Sequence, residues 1–511
     1  MNTSQICRRF LWVFGLATVL VLGWTARSAP ARPNVVVIYA DDVGWGDLGC
    51  YGARTIPTPH LDRLAREGVR FTDAHAPAAT CTPSRFALLS GMYAWRQKGT
   101  GVLPGDAALI LDPAKPTLAS VFQRAGYRTG VVGKWHLGLG PGPGKTDWNG
   151  EIKPGPLELG FEHAFLMPAT GDRVPCVYVQ DRRVVGLDPL DPIRVSFKEP
   201  ITNEPTGRAN PELLKMHPSH GHDMTIVHGI SRIGHMSGGR AARWKDEEMS
   251  DDFARAAVNF IERHRTQPFF LYLAPHGIHV PRVPHPRFVG KTPHGPRGDA
   301  MMELDDCVGQ VLVALDRFGL ARDTLVLFSS DNGPVVDDGY RDDAVNRLAG
   351  HQPAGPWRGG KYSRFEGGTR VPMLVRWPAR VKPAVSDALM CHVDFTATFA
   401  ALLEQAFPTG TWVDAEPHLP ALLGDSPVGR DHVVAQAGGL ALREGRWKYI
   451  PGGPGPKRNE PTDTELGNDP SPQLYDLQSD PGEVDNLAPR NPERIEAMRK
   501  RLETIRNRGG G

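Results

Sequence analysis

The sequence predicts an α/β fold: a mostly parallel central sheet flanked by helices, followed by a smaller C-terminal α+β domain. Three observations carry this. Short apolar, β-branched runs alternate with amphipathic helical patterns. Clusters of charged and polar residues fall just after those runs, where open α/β sheets bind ligands. After about residue 425 the texture changes to short strand patterns separated by turns.

Taken in order, residues 34–40 (NVVVIYA) read as a buried parallel strand, with Asp41-Asp42 and a GWGDLG turn directly after it. Residues 60–67 place Leu61, Leu64 and Ala65 on one helical side and stop at Gly68. Residues 117–125 form the next helix, and 127–132 a strand leading into Gly133-Lys134-Trp135-His136. A helix over 251–265 precedes a strand over 268–273, which ends near His276 and His279. A long amphipathic helix over 301–318 leads to the strand 324–330, followed by Asp331-Asn332-Gly333. Four sequence-distant polar clusters are thereby expected in one crevice. Beyond 425, strands are expected at 433–437, 440–443 and 447–450, with Trp447 and Tyr449 in the core. A Pro/Gly-rich loop over 451–472 and a polar helix over 492–506 complete the chain.

The 511 residues exceed one ordinary core. Net charge of +2 gives no case for nucleic acid or a membrane surface as partner. Arg8 and Arg9 precede an apolar run over 10–24 and small residues over 26–31, the order of a secretory signal. The run is shorter than the roughly 18–20 apolar residues of a span. Residues 1–31 are therefore read as a signal peptide, 32–425 as a catalytic domain and 426–511 as the α+β domain. The product is exported, periplasmic or secreted, and the paired arginines hint at a twin-arginine route. Cys7 lies in the leader. The other five cysteines form no CxxC pair and do not read as a zinc site.

The sharpest motif is Cys81-Thr82-Pro83-Ser84-Arg85, continuing FALLSG. Pro83 suits the first turn of a helix, so Cys81 sits at a helix N-terminus that favours anions. A second long motif is GYRTGVVGKWH over 126–136. Together they resemble the type I, formylglycine-dependent sulfatases of the alkaline-phosphatase-like superfamily. The resemblance runs from about residue 34 to the C-terminus and is weakest over 167–244.

That resemblance implies a sulfuric ester hydrolase whose Cys81 is oxidised to Cα-formylglycine by a separate maturation enzyme. Asp41, Asp42, Asp331 and Asn332 match the family's metal ligands, with residue 81 completing the set. Oxygen ligands suit a hard cation, Ca²⁺ or alternatively Mg²⁺. Arg85, Lys134, His136, His279 and Lys361 match the catalytic cations and acid–base groups. Asp331 is read as a base, His279 or Lys361 as the acid, and His136 as the base that releases sulfate. Glu366 reads as structural.

The segment 169–244 holds the substrate-pocket candidates Asp172 and Arg173 (in ATGDRVPC) and His220 and His222 (in HPSHGHD). A sulfated carbohydrate is expected as substrate, with aryl sulfates as the alternative. Two rival readings are a phosphodiesterase or phosphatase of the same superfamily and an inactive sulfated-glycan-binding protein. The cysteine of CTPSR speaks against the first, and the complete set of expected site residues against the second.

Overall fold

The computed structural model describes residues 32–508 apart from residue 202. The proposed signal segment lies outside the described residues. From Pro33 onward the chain forms one compact unit. No helix among the described residues is long and apolar enough to cross a membrane.

The centre is an eleven-stranded sheet. Its principal strands are β1 (Asn34–Ala40), β2 (Val69–His75), β3 (Arg128–Lys134), β4 (His163–Met167), β5 (Phe269–Ala274), β6 (Thr324–Ser330) and β7 (Arg370–Arg376). In space they run β2-β7-β6-β1-β5-β3-β4. The five strands from β6 to β4 are mutually parallel, whereas β7 is antiparallel to both β6 and β2. Every residue of β1, β5 and β6 is buried. Strands covered on both faces need such continuous apolar runs, which is why these three were legible. β2, β4 and β7 were not foreseen. β2 carries Arg70, Thr72 and Asp73, and β7 carries Pro372, where the pairing with β2 shifts register; proline breaks the ladder and masks the strand pattern.

The helices that frame the site are α1 (Pro59–Glu67), α2 (Cys81–Ser90), α3 (Leu118–Arg124), α4 (Met249–His264) and α5 (Gly295–Arg317). Thr117 caps α3 through a reciprocal capping box with Ser120. Phe122 of α3 stacks on Phe270 of β5 at 4.1 Å, tying helix to sheet. α5 begins at Gly295, ahead of the expected 301, because its first turns lack apolar periodicity. α2 is buried from Cys81 to Leu89 and so shows no amphipathic stripe.

The smaller C-terminal sheet is an antiparallel array of β8 (His432–Gln436), β9 (Leu440–Glu444), β10 (Trp447–Ile450) and β11 (Gln473–Asp476). The last helix, α6 (Pro492–Asn507), buries Met498, Leu502 and Ile505. The expected loop over 451–472 also holds a short antiparallel pair, Arg458–Asn459 with Thr464–Glu465. Tyr449 is buried as expected, but Trp447 is only half-buried; the guanidinium of Arg494 covers its ring at 4.3 Å. This sheet also holds the segment leading to Cys81, since the Ala79 amide donates to the Gln436 carbonyl at 2.8 Å.

Candidate active site

Four adjacent strand ends build the site. Asp41 and Asp42 follow β1; Asp331 and Asn332 follow β6; Lys134 ends β3, with His136 just beyond; His276 and His279 follow β5. All lie on the carboxyl edge of the parallel strands. α2 brings Cys81 to the same place. Asp41, Asp42, Arg85, Lys134, Asp331 and Asn332 are fully buried, and Cys81, His136, His279 and Lys361 nearly so.

The polar contacts are dense. Arg85, one turn into α2, donates through Nε to Asp331 Oδ2 at 2.9 Å, with its Nη2 at 2.7 Å from the same oxygen. Lys134 Nζ lies 2.5 Å from Asp41 Oδ2. Lys361 Nζ donates to Asp42 Oδ2 at 2.9 Å and to Asp338 Oδ2 at 2.7 Å. Asn332 Nδ2 donates to Asp42 Oδ1 at 2.7 Å. His279 Nε2 stands 3.9 Å from Asp42 Oδ2, while its Nδ1 side is fixed by the Val280 carbonyl at 2.7 Å.

His136 has a defined tautomer. Its Nε2 lies 2.9 Å from the Leu103 carbonyl, an acceptor only, so Nε2 carries the proton. The Nδ1 lone pair then faces Cys81 Sγ at 3.3 Å. Burial, with Lys134 and Arg173 nearby, holds the ring well below the usual histidine range, so it is a neutral base. Lys134 and His136 had been expected to point alike from one extended segment. Both reach the crevice, but β3 ends at Lys134, and His136 adopts a left-handed conformation with φ 53°. The amides of Trp135 and His136 instead bond to the carbonyls of Met167 and Pro168.

The charges pose a problem that a cation solves. Asp41 is pushed up to about 8, first by burial and then by the charge of Asp331. Burial also works against the ionised form of Asp42, but Lys361 and Lys134 outweigh it and keep its pKa low. Burial opposes charge on Lys361 too, yet Asp338 and Asp42 hold its pKa well above the lysine range. Two buried oxygens, Asp41 Oδ1 and Asn332 Oδ1, have no hydrogen-bond partner. Buried acceptors are rarely left so. Asp41, Asp42 and His279 also place ligand atoms within 4.8 Å of one another. An oxygen-rich, acidic set with orphaned acceptors fits a hard divalent cation.

Beside this lies a second cluster. Asp172 Oδ2 is 2.9 Å from His222 Nε2, and Arg173 Nη1 donates to both Asp172 oxygens at 2.8 Å. Gly171 N donates to His276 Nε2 at 3.1 Å, tying this turn to the end of β5. Arg173 is close enough for its charge to act on Cys81, Tyr362 and Asp338. His222 has φ 50°. His220 adjoins this cluster: its ring stands edge-on to that of His222 at 6.1 Å, its carbonyl lies 2.9 Å from His222 Nδ1, and its own Nδ1 lies 3.0 Å from Ser219 Oγ and 4.0 Å from Asp337. Glu366 is fully buried among Lys448, Arg370, Arg443 and His75, apart from the crevice groups above.

Asp338 and the Leu103 carbonyl were not foreseen. Asp338 left a faint signal, an acidic pair shortly after Asn332. The role of Leu103 rests on a backbone oxygen and has no sequence signature. The five cysteines among the described residues are unpaired.

Comparison with known proteins agrees with this geometry. The sulfatase family model matches residues 33–405. An N-acetylgalactosamine-6-O-sulfatase of Bacteroides thetaiotaomicron is 51% identical over 479 residues, covering 93% of this chain and 94% of that one. Human arylsulfatase A is 33% identical, covering 95% and 90%. A solved structure from work on the metabolism of multiple glycosaminoglycans by Bacteroides thetaiotaomicron superposes with a TM-score of 0.92 at 51% identity, over 93% of this chain and all of that one. With two long motifs, the strand-end constellation and these likenesses in agreement, the chain belongs to the sulfatase family and is a sulfuric ester hydrolase.

Proposed function

We propose that the chain removes sulfate from sulfated carbohydrates, with an exocyclic 6-sulfate of an N-acetylhexosamine as its substrate class, after export and after oxidation of Cys81 to formylglycine by a maturation enzyme. The observation that carries the mechanism is the 3.3 Å approach of neutral His136 Nδ1 to Cys81 Sγ. The substrate class rests on the 51% identical relative and on the polar Asp172–Arg173–His222 cluster beside the nucleophile.

Cys81 Sγ here stands in for the oxygens borne by the same carbon after oxidation. The hydrated aldehyde supplies two hydroxyls on one carbon, one to attack sulfur and one to expel sulfate. Asp41, Asp42, Asp331, Asn332 and residue 81 would hold a divalent cation, Ca²⁺ or Mg²⁺, which would supply Lewis-acid charge to the site.

The chain's own groups do the rest. Asp331 Oδ1, whose contact is the Asp42 amide at 3.3 Å, accepts the proton of the attacking hydroxyl. Arg85 fixes the other Asp331 oxygen and so orients this carboxylate. As the bond between sulfur and the ester oxygen breaks, Lys361 gives that oxygen a proton; His279, whose Nδ1–H is spent on the Val280 carbonyl, does so only as the imidazolium. Arg85, Lys134 and Lys361 supply fixed positive charge in a dry site, where it counts most. His136 Nδ1 then takes the proton of the second hydroxyl, the C=O bond reforms and sulfate leaves. Leu103 holds the ring in the tautomer this needs.

Asp172, Arg173 and His222 form the sugar-reading wall. His220, edge-on to His222, stands behind that wall. The test is a panel of 6-sulfated, 4-sulfated and 2-sulfated sugars beside an aryl sulfate, using protein with confirmed formylglycine. Preferential turnover of 6-sulfated N-acetylhexosamine supports the reading. Equal rates across the panel would defeat it.

A further inference from the structure

Between the end of α2 and the C-terminal sheet lies a cavity of ≈ 470 Å³ lined by Trp95, Arg364, Gln436, Leu440, Leu502 and Arg506. Arg364 is only 5% exposed. Its terminal nitrogens donate to neutral acceptors: the carbonyls of Pro451 at 3.2 Å and Gly467 at 2.9 Å, and Asn468 Oδ1 at 2.7 Å. Every other buried arginine among the described residues has a carboxylate within 4 Å, as Arg297 has Asp47 and Arg282 has Asp342. Arg364 has none. A buried charge without a counter-ion is costly, so this guanidinium asks for an anion from outside.

The cavity offers more than a charge. Arg364 Nε, Trp95 Nε1 and Gln436 Oε1 are all buried and have no hydrogen-bond partner. This volume and the apolar surfaces of Trp95, Leu440 and Leu502 beside the charge suit a sugar ring bearing an anion better than a bare ion. Space is also kept for Arg364: a Cβ on Gly439 would come within 3.2 Å of its Nη1. The cavity adjoins the nucleophile's support. The Ala79 amide bonds to Gln436, and the Tyr362 amide to the Ala79 carbonyl at 2.8 Å. Residue 79 is two positions from Cys81, and Arg364 three from Lys361.

We propose that this cavity is an anion subsite for a second charged sugar of the substrate chain. The carboxylate or sulfate of that residue pairs with Arg364. Its ring lies against Trp95 and Leu440, and Arg506 adds positive charge at the mouth. The inference rests on the reading of the substrate as a sulfated carbohydrate, but its test does not need turnover.

Calorimetry with a desulfated, uronate-bearing tetrasaccharide, its carboxyl-reduced counterpart and the same tetrasaccharide carrying one added sulfate separates the sources of the anion. Binding of the uronate or sulfated form, weakened about tenfold or more in Arg364→Met, is the expected result. The carboxyl-reduced sugar should bind weakly to both proteins. In turnover, Arg364→Met should raise KM for a sulfated tetrasaccharide and leave a monosaccharide sulfate unchanged. Arg364→Gln, which keeps an amide donor for the Gly467 and Asn468 oxygens and removes the charge, carries the same test if Arg364→Met fails to fold. Equal binding by parent and variant, or equal loss on monosaccharide and tetrasaccharide, would overturn the subsite. A protein that binds the tetrasaccharide through Arg364 but cleaves no sulfated sugar would instead overturn the substrate reading alone.

Discussion

His136 presents an unprotonated Nδ1 to Cys81 Sγ at 3.3 Å because its other nitrogen is spent on the Leu103 carbonyl. That relationship assigns the ring one task, removal of a proton from residue 81. His136→Ala should lower kcat by about 10²–10⁴-fold, with residue 81 accumulating as its sulfate ester during turnover. Mass spectrometry of the peptide spanning residue 81, quenched at steady state, reads this directly. A slow variant with no trapped ester would place the loss in an earlier step.

Cys81 packs at the start of a helix buried from Cys81 to Leu89, so replacing it by a smaller residue should leave the fold in place. Cys81→Ala is expected to abolish turnover while its thermal unfolding stays close to the parent. In the parent, conversion to formylglycine lowers the peptide mass by about 18 Da, as expected for the proposed covalent nucleophile. Activity retained by Cys81→Ala, or an active enzyme with unmodified thiol, would end the mechanism.

Asp41 Oδ1 and Asn332 Oδ1 are buried acceptors with no donor. A ligand that binds the folded state alone raises stability by mass action. Added Ca²⁺ should therefore raise the Tm of the parent, and a chelator should reverse the rise. Asn332→Ala should blunt the response and reduce bound metal in elemental analysis. An unchanged Tm with Ca²⁺ and with Mg²⁺ would remove the metal from the site.

Much of this site was legible because it is built from strand ends. β1, β5 and β6 are apolar throughout, so the residues after them stood out as Asp41-Asp42, His276/His279 and Asp331-Asn332. The partners that arrive from loops were hidden. Asp338 meets Lys361, and Leu103 meets His136, through folds of chain with no period to read. β7 was hidden for another reason, since Pro372 interrupts a strand that nonetheless lies inside the sheet. The grouping of Asp172 with His222 needs a contact across fifty positions that composition does not encode.

That contact makes a signed pH prediction. Burial tends to lower the His222 pKa, but the Asp172 carboxylate outweighs it and raises it. Protonated His222 is therefore favoured in the fold, fully so below the ordinary histidine pKa of about 6.5. The pairing is lost as pH rises through the raised value. KM for the sulfated sugar should climb over that alkaline range, while KM for an aryl sulfate follows a different course. His222→Gln should flatten the sugar profile. Parallel profiles for both substrates would deny His222 a part in reading the sugar.

Glu483 has the same sign by a different route, burial of a carboxyl group. It is fully buried, and its Oε2 accepts from the Glu366 amide at 2.7 Å. Burial pushes its pKa up to about 8; Lys448 opposes the rise and the Glu366 charge adds to it. The unfolded carboxyl ionises near 4.5. Between those values the folded state keeps a proton that the unfolded state has lost, so stability falls as pH rises. Glu366 has the reverse sign. Burial opposes its charge, but Lys448 and Arg443 hold its pKa down, and its contribution is lost as pH falls. Glu483→Gln keeps an acceptor for the Glu366 amide and removes the titration. By urea unfolding it should match the parent near pH 4 and exceed it near pH 8. A parent as stable as the variant at the higher pH would mean that Glu483 is ionised in the fold and that Lys448 neutralises both carboxylates.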